Sequence, residues 1–255
     1  MKLSIILPTI RIEKLEGLYS SINNSFSDKW EIIIVSPYEL PKSFTDGKYN
    51  IKYFQDWGTP LRCQQIGLIH ARGDYIHRAV DDSLYLPNML NKAFEKLKQD
   101  DYKSCVNIKF YEGENVTHRN MADPEFYYLK YHLQTIKLYT PFDYQIMNFY
   151  MTSRKLLWEL GGWDCQFETI AFGELDLSLR LQFYGAKPVL TDNITLKCEW
   201  MPGEEGDHKP MHDAWADDNK IYSEIYNKPE CELRSIIDVK NYQNSPERWE
   251  RRFGK

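Results

Sequence analysis

The stretch that decides the fold runs from Asp74 to Asn88 and reads DYIHRAVDDSLYLPN. It begins as a short apolar segment, continues into the adjacent carboxylates Asp81 and Asp82, and leads into a charged amphipathic run. Because Pro87 suits the first turn of a helix, the carboxylates are predicted on a strand-to-helix connection. Ligands of open α/β sheets bind outside the carboxyl ends of the strands, where two aspartates suit a divalent cation and its phosphate. The alternative is a polar Asp-Asp-Ser turn that only caps the following helix.

Predicted strands and helices alternate on both sides of this stretch. Apolar or β-branched runs indicate strands, and apolar side chains at helical spacing indicate helices. The strands are expected at 3–7, 31–35 and 52–54, and the helices at 13–26, 60–71 and 88–99. This order implies right-handed parallel crossovers, and therefore an α/β fold whose mostly parallel central sheet has helices on both faces. The sequence contains neither G-x-G-x-x-G nor G-x-x-x-x-G-K-[ST], which disfavours dinucleotide dehydrogenases and P-loop phosphotransferases.

The second half of the chain is less regular. Strands are predicted at 103–111, 143–151 and 188–196, and helices at 154–160 and 213–226. Alternating apolar residues between Leu175 and Phe183 resemble a strand, but the segment has no β-branched residue and Gly185 fits a helix C-cap. We therefore predict a deeply buried helix there. No linker is visible, so we predict one domain over residues 1–228 and a charged C-terminal arm over residues 229–255.

Composition and charge narrow the function. The net charge of −5 is spread along the 255 residues, which disfavours a nucleic-acid-binding surface, and the 18 tyrosines and 7 tryptophans are compatible with sugar binding. No apolar run approaches the roughly 18 residues of a membrane span, and the first run is too short for a signal peptide. We therefore expect a cytoplasmic protein. Five scattered cysteines predict buried reduced thiols and disfavour a zinc site or a disulfide framework.

Four motifs follow one another in the order seen in family 2 glycosyltransferases. They are 5–11 (IILPTIR), 71–76 (ARGDYI) before Asp81-Asp82, 160–164 (LGGWD) and 174–180 (ELDLSLR). The sequence resembles that family over about residues 3–226. The resemblance implies the single-domain GT-A fold of nucleotide-diphospho-sugar transferases. It also implies a nucleoside diphosphate sugar as donor, with a UDP-sugar favoured, and a hydroxyl group of a glycan or other molecule as acceptor.

The resemblance further implies a divalent cation, Mn²⁺ or Mg²⁺, between the donor diphosphate and a D-x-D-type motif. Asp82 occupies the usual metal-ligand position, Asp81 falls near the ribose, and Val80 replaces the first aspartate of the motif. His208 and His212 lie in a region where some relatives carry a metal-binding histidine, although such residues are often solvent-facing. An imidazole ligand would favour Mn²⁺ over Mg²⁺.

The donor would also contact two other regions. The loop after the first strand would hold the base, and the helix before the central strand would approach the donor unless it presents only an exposed face. The residues concerned are Pro8, Thr9 and Arg11 in the loop, and Arg62 and Gln65 on the helix. Ser36-Pro37 stands where many relatives carry an acidic residue that reads the base, so the identity of the base stays open.

The segment around Glu174 resembles the one that supplies the catalytic base of inverting members. Glu174 occupies the base position, where Asp is usual, and it could instead stabilise the helix start through its charge. Asp176, the second candidate catalytic residue, is expected to make an orienting salt bridge or hydrogen bond, for which Arg180 is a candidate partner. Trp163 and Asp164 would border the acceptor pocket, although Trp163 could equally be a core residue.

The leading hypothesis is therefore a metal-dependent inverting glycosyltransferase. One alternative is a sugar-phosphate nucleotidyltransferase of similar fold, although the loop after the first strand lacks the expected glycines. The other is a non-catalytic module that binds sugar nucleotides or glycans, and the departures at Val80 and Glu174 keep it open. The charged arm carries Arg248, Arg251 and Arg252 beside Trp249 and Phe253, and is a candidate for a homodimer contact or for docking on a membrane surface.

Overall fold

The computed structural model describes residues 1–99, 101–113, 128–130, 135–136, 144–190, 196–199, 209–226 and 236–245. Its strands are β1 (Leu3–Pro8), β2 (Trp30–Ser36), β3 (Ile51–Gln55), β4 (Tyr75–Arg78), β5 (Ser83–Tyr85), β6 (Ser104–Asn107), β7 (Phe110–Gly113), β8 (Tyr128–Lys130), β9 (Thr135–Ile136), β10 (Tyr144–Gln145), β11 (Tyr150–Ser153), β12 (Lys187–Leu190) and β13 (Leu196–Glu199). Its α-helices are α1 (Leu15–Ser25), α2 (Lys42–Thr45), α3 (Pro60–His70), α4 (Met89–Lys98), α5 (Arg154–Leu160), α6 (Ile170–Phe183) and α7 (Lys209–Tyr226). Short 3₁₀ turns cover Ile12–Lys14 and Asn241–Asn244.

The central sheet has seven strands in the order β12-β6-β11-β4-β1-β2-β3. Neighbouring strands are parallel except at β11, which runs antiparallel to both β4 and β6. Every residue of β2 is buried, as expected for a strand covered on both faces of a parallel sheet. The mostly parallel α/β sheet predicted from the sequence is confirmed. Because β1 pairs with β2 on one side and β4 on the other, the carboxyl ends of these three strands meet at one edge.

Helices cover both faces of this sheet. Consecutive residues of β1 point to opposite sides, so Ile5 packs with α1 and α4 while Ile6 packs with α3, α5 and α6. A second sheet, in the order β5-β13-β7-β8, and the two-stranded pair β10-β9 complete the described strands.

The alternating segment near residue 175 is helical, as predicted. Thr169 caps α6 by accepting a hydrogen bond from the Phe172 amide. Leu177, Leu179 and Leu181 are all fully buried. The helix is apolar on several sides because it lies between the sheet and α7, and this explains why its sequence lacks a clean helical period.

The region after the two aspartates differs from the prediction. Helix α4 begins at Met89 rather than at Pro87, because Asn88 adopts a left-handed conformation with φ of +60°. The short strand β5 lies between the aspartates and the helix and pairs with β13, where Leu196 faces Tyr85. The predicted strand over 103–111 is likewise divided into β6 and β7, and the strand expected over 143–151 into β10 and β11.

The described part of the predicted arm, residues 236–245, packs on the body of the domain. The Ile237 amide donates to the Leu160 carbonyl, and the Asn241 side chain donates to the Trp163 carbonyl and accepts from the Cys165 amide. Gly161, with φ of +84°, leaves no room for a side chain because the Ile237 carbonyl lies against it. Within the described ranges, no helix combines the length and the apolar character that crossing a membrane requires.

Candidate functional site

A cavity of about 170 Å³ opens at the edge where β1, β2 and β4 end. Its walls come from the ends of these strands and the loops that follow them, from Gly58 and the first turns of α3, and from one residue each of α6 and α7. The lining residues are Pro8, Thr9, Ile10, Arg11, Val35, Pro37, Gly58, Pro60, Cys63, Gln64, Arg78, Ala79, Val80, Asp81, Asp82, Ile170 and Met211. The structure therefore brings five of the predicted donor and metal residues to one cavity, namely Pro8, Thr9, Arg11, Asp81 and Asp82.

A hydrogen-bonded network joins the loops after β1 and β4. The Thr9 hydroxyl donates to Asp81 Oδ2 over 2.6 Å, and Arg11 Nη1 donates to Asp81 Oδ1 over 3.0 Å. The Arg11 amide donates in turn to Thr9 Oγ1, which fixes the loop. All three residues are at least nine-tenths buried. Asp81 is therefore held rigidly by charge-assisted hydrogen bonds, and its carboxylate forms part of the cavity wall.

Asp82 is the less constrained of the two aspartates. Arg11 Nη1 lies 3.5 Å from Asp82 Oδ2, and the Asp82 side chain is 14% exposed to solvent. Burial and the neighbouring Asp81 charge raise the pKa of Asp82 to about 6, although Arg11 acts in the opposite direction. A partly exposed carboxylate that lines a cavity and has a single, longer ion pair among the described residues is suited to accept a cation.

Arg78 extends from the end of β4 to the floor of the cavity. Its side chain is 2% exposed, and its Nε lies 3.2 Å from Glu174 Oε1. Its Nη1 donates to the main-chain and side-chain oxygens of Asn148 over 3.1 and 2.8 Å, and the guanidinium lies 5.4 Å from the centre of the Phe149 ring. The charge of Arg78 is therefore fixed in place between the cavity and Glu174.

Glu174 lies in the first half of α6, behind Arg78 and outside the cavity lining. Trp163 Nε1 donates to Glu174 Oε1 over 3.2 Å, and Oε2 has no hydrogen-bond partner among the described residues. Burial raises the pKa of Glu174 to about 7, against the opposing effects of Arg78, the Trp163 hydrogen bond and Arg180. A carboxyl group with a pKa near neutrality and one unoccupied oxygen has the properties of a general base.

Asp176 is placed differently from Glu174. Its Oδ2 accepts from Arg180 Nε over 2.7 Å, which confirms the predicted ion pair, and its Oδ1 accepts from the Tyr226 hydroxyl over 2.5 Å. Arg180 also donates to the carbonyls of Leu160 and Gly162. All of these side chains are fully buried. Asp176 therefore joins α6, α7 and the Gly161-Gly162 turn, and it does not line the cavity.

The two predicted donor residues on α3 point away from the cavity. Arg62 pairs with Asp56 over 3.0 Å and donates to the Tyr242 carbonyl and the Ser245 hydroxyl. Gln65 is fully buried, where it donates to the carbonyls of Gly161 and Val239 and accepts from the Trp163 amide. Both side chains attach α3 to the C-terminal half of the chain.

The predicted acceptor residues are also engaged in the interior. Trp163 is fully buried and holds Glu174, so it is a core residue that positions the candidate base. Asp164 is 5% exposed and accepts hydrogen bonds from the Gln166 amide and side chain. Neither residue lines the cavity.

The predicted histidine ligands do not complete a metal site within the described chain. His212 is exposed on the first turns of α7, although the adjacent Met211 lines the cavity. His208 lies outside the described residues. Among the residues that the structure describes, no group of three His, Cys, Asp or Glu side chains is arranged to hold a metal ion.

Two buried polar residues of the cavity were not predicted from the sequence. Gln64 is fully buried, and neither of its amide atoms has a hydrogen-bond partner in the described chain. Arg78 could have been noticed as a charged residue at the end of a buried strand. Gln64 carried no such signal, because the adjacent Gln65 offers the same side chain on the same helix.

Comparisons with known proteins agree with this architecture at the level of the fold. No protein-family model and no curated protein sequence matches the chain. Residues 1–349 of S. aureus TarS match with a TM-score of 0.59 and 15% identity over 88% of this chain and 64% of that one. The TarS complex with UDP-GlcNAc matches with a TM-score of 0.61 and 17% identity over 88% of this chain and 66% of that one. The TarS complex with UDP matches with a TM-score of 0.54 and 15% identity over 88% of this chain and 70% of that one.

The chain thus spans about two thirds of the length of the TarS chains that it matches. At 15 to 17% identity, such a likeness establishes the fold and leaves the reaction to be argued from the site. The seven-stranded, mostly parallel sheet and its helices have the GT-A fold that the resemblance implied.

Proposed function

We propose that this protein is an inverting glycosyltransferase that moves a sugar from a nucleoside diphosphate sugar, preferably a UDP-sugar, to a hydroxyl group of a glycan or other acceptor. The observation that carries the proposal is the joining of Thr9, Arg11, Asp81 and Asp82 around one cavity at the carboxyl ends of β1 and β4. The TarS structures support a nucleotide-sugar donor, since two of them contain UDP-GlcNAc or UDP.

A divalent cation, Mg²⁺ or Mn²⁺, forms part of this proposal. Asp82 would hold it, because Mg²⁺ in proteins is commonly bound by one or two carboxylates together with substrate phosphates and waters. The cavity provides a carboxylate of this kind at Asp82, while Asp81 is already occupied by Thr9 and Arg11. Such a cation supplies Lewis-acid stabilisation of the leaving diphosphate. A histidine ligand from the segment that includes His208 would favour Mn²⁺.

Glu174 is proposed as the general base. The acceptor oxygen forms a bond to the anomeric carbon of the donor sugar while the bond from that carbon to the phosphate oxygen breaks. The hydroxyl proton passes to Glu174 Oε2, and the nucleoside diphosphate leaves with the electron pair. Arg78 lines the cavity and lies 3.2 Å from Glu174 Oε1, so the acceptor hydroxyl would approach Glu174 at Oε2, the oxygen that has no partner among the described residues.

Screening nucleotide sugars tests the proposal directly. The protein is incubated with UDP-, GDP-, CDP- and ADP-sugars and either Mn²⁺ or Mg²⁺, and release of nucleoside diphosphate is measured together with the melting temperature. We expect release from at least one donor and a rise in melting temperature with the same donor. A rise without release would favour the non-catalytic binding module. Release of pyrophosphate from a nucleoside triphosphate and a sugar phosphate would favour the nucleotidyltransferase.

Substitution of Asp82 tests the metal site. Asp82→Ala is expected to abolish the increase in donor affinity that Mn²⁺ produces, because it removes the carboxylate that we assign to the cation. Calorimetric titration of UDP with and without Mn²⁺ gives this increase for each variant. Asp74→Ala is the matched control, because Asp74 is an exposed aspartate at the opposite end of β4. An unchanged Mn²⁺ effect in Asp82→Ala would exclude Asp82 as the ligand.

A further inference from the structure

Arg78 carries a buried positive charge that the proposed reaction does not yet use. Nε faces Glu174 and Nη1 is bound to Asn148, whereas Nη2 has no hydrogen bond to any described residue. Arg78 is also a residue of the cavity lining, and its guanidinium keeps donor capacity at Nη2 for a ligand. A guanidinium is a preferred partner of phosphate because its planar array of donors matches the phosphate oxygens.

The charges of the described cavity wall are unevenly distributed. Arg11 is engaged by both Asp81 and Asp82, at 3.0 and 3.5 Å. No carboxylate of the described lining faces Arg78 within ion-pair distance, because its counter-charge, Glu174, lies behind it. An anion that enters the cavity can therefore meet Arg78 without first displacing a carboxylate of the described lining.

Gln64 provides an independent sign of a polar ligand at the cavity. Both Nε2 and Oε1 are inaccessible to water and lack partners among the described residues, a state that costs free energy in a folded protein. The Nε2 group can donate to a phosphate oxygen and Oε1 can accept from a hydroxyl or N–H group of the same ligand. A nucleoside diphosphate sugar offers all of these groups.

We propose that Arg78, assisted by Gln64, binds the diphosphate of the donor directly and does so without a divalent cation. This inference rests on the proposed function and assigns to this site a second source of positive charge, besides the cation at Asp82. In consequence, nucleoside diphosphate affinity has a metal-independent part that depends on Arg78 and a metal-dependent part that depends on Asp82.

The test is calorimetric titration of the full chain with UDP, GDP, CDP and ADP in EDTA and then in Mn²⁺. We expect the wild type to bind at least one of them in EDTA, and Arg78→Met to weaken that binding by about tenfold or more, the usual effect of losing a charge-assisted hydrogen bond. Arg78→Lys keeps the charge and is expected to retain more affinity than Arg78→Met. The gain in affinity from Mn²⁺ is expected to persist in Arg78→Met.

Two further variants keep the test decisive. Arg78→Met leaves Glu174 buried without its partner, so the double variant Arg78→Met/Glu174→Gln removes both charges and preserves the fold if the single variant does not. Arg154→Met is the matched control, because Arg154 lies on α5, donates to the Gly73 carbonyl and does not line the cavity. Far-ultraviolet circular dichroism and melting curves verify folding.

The outcomes separate this inference from the proposed function. The role of Arg78 is overturned if the folded Arg78→Met/Glu174→Gln variant binds nucleoside diphosphate in EDTA as tightly as the wild type does. It is also overturned if the wild type binds nucleoside diphosphate only when Mn²⁺ is present. Both results leave the glycosyltransferase proposal standing. The absence of nucleoside diphosphate binding by the wild type in either buffer would overturn both proposals together.

Discussion

Glu174→Gln is expected to reduce sugar transfer and donor hydrolysis by about 10²- to 10⁴-fold, the range typical for loss of a general base. Glutamine has the same shape as glutamate, so the Trp163 contact and the packing of α6 are retained. Affinity for the nucleotide sugar is expected to be retained, because Glu174 lies outside the cavity lining and the Arg78 charge that we assign to the diphosphate remains. The measurement is the rate of nucleoside diphosphate release at saturating donor.

The pH dependence of the same reaction provides a second measurement. Burial, with a smaller contribution from Asp176, raises the pKa of Glu174 to about 7, while Arg78, Trp163 and Arg180 act in the opposite direction. Tyr150 on β11 is the other titratable group near this carboxyl, and its own pKa is raised well above 10. Because a base must be unprotonated, the wild-type rate is expected to rise about tenfold per unit below pH 7 and to level off above it.

Glu159→Gln is a suitable control for this experiment, because Glu159 lies on the last turn of α5 and contacts Tyr184 and Lys155 instead of the cavity. It is expected to behave as the wild type. Retention of the wild-type rate and pH profile in Glu174→Gln would show that another group removes the proton.

Asp176→Asn is expected to lower the free energy of unfolding by about 3 to 5 kcal/mol, the usual effect of breaking a fully buried ion pair. Asparagine has one acceptor oxygen where Asp176 uses two, for Arg180 and Tyr226, and it leaves the Arg180 charge without a counter-charge in the interior. For a domain of this size, the melting temperature would fall by roughly 6 to 20 °C. Urea unfolding followed by tryptophan fluorescence measures the change.

The matched control for Asp176→Asn uses an exposed ion pair with the same spacing. Asp213 pairs with Lys209 one turn away on α7, and both side chains are largely exposed. Asp213→Asn is expected to change the free energy of unfolding by less than about 0.5 kcal/mol. Similar effects of the two substitutions would mean that the buried position of Asp176 contributes nothing special to stability.

The sequence predicted the local elements well where short-range signals determine them. Thr169 and Ser153 cap their helices, and Gly161 ends α5 in a left-handed conformation, which are local roles that these residue types commonly take. Strand β2 was recognisable from its β-branched run. By contrast, β5 exists because β13 pairs with it from more than a hundred residues away, and no local pattern reports such a partner.

For the site residues too, local signals could be read from the sequence and long-range contacts could not. Thr9, Arg11, Asp81 and Asp82 follow directly after two neighbouring parallel strands, so the rule on strand ends was enough to bring them together. Arg62 and Gln65 lie on a helix whose orientation is set by the packing of the whole domain. That packing turns Gln64 to the cavity and directs Arg62 and Gln65 to residues beyond 160. The direction of a side chain on a buried helix depends on long-range contacts that a sequence pattern does not contain.

The attachment of residues 236–245 to α3 and to the Gly161–Cys165 region has a consequence for biosynthesis. Gln65, synthesised early, obtains one of its hydrogen-bond acceptors only when Val239 has emerged from the ribosome. Until then, the polar groups of Gln65 and Trp163 that this segment satisfies remain exposed to solvent or to chaperones. The amino-terminal strands and helices can therefore form during translation, whereas the hydrogen bonds that attach α3 and the Gly161–Cys165 region to residues 236–245 form only once that segment has left the ribosome.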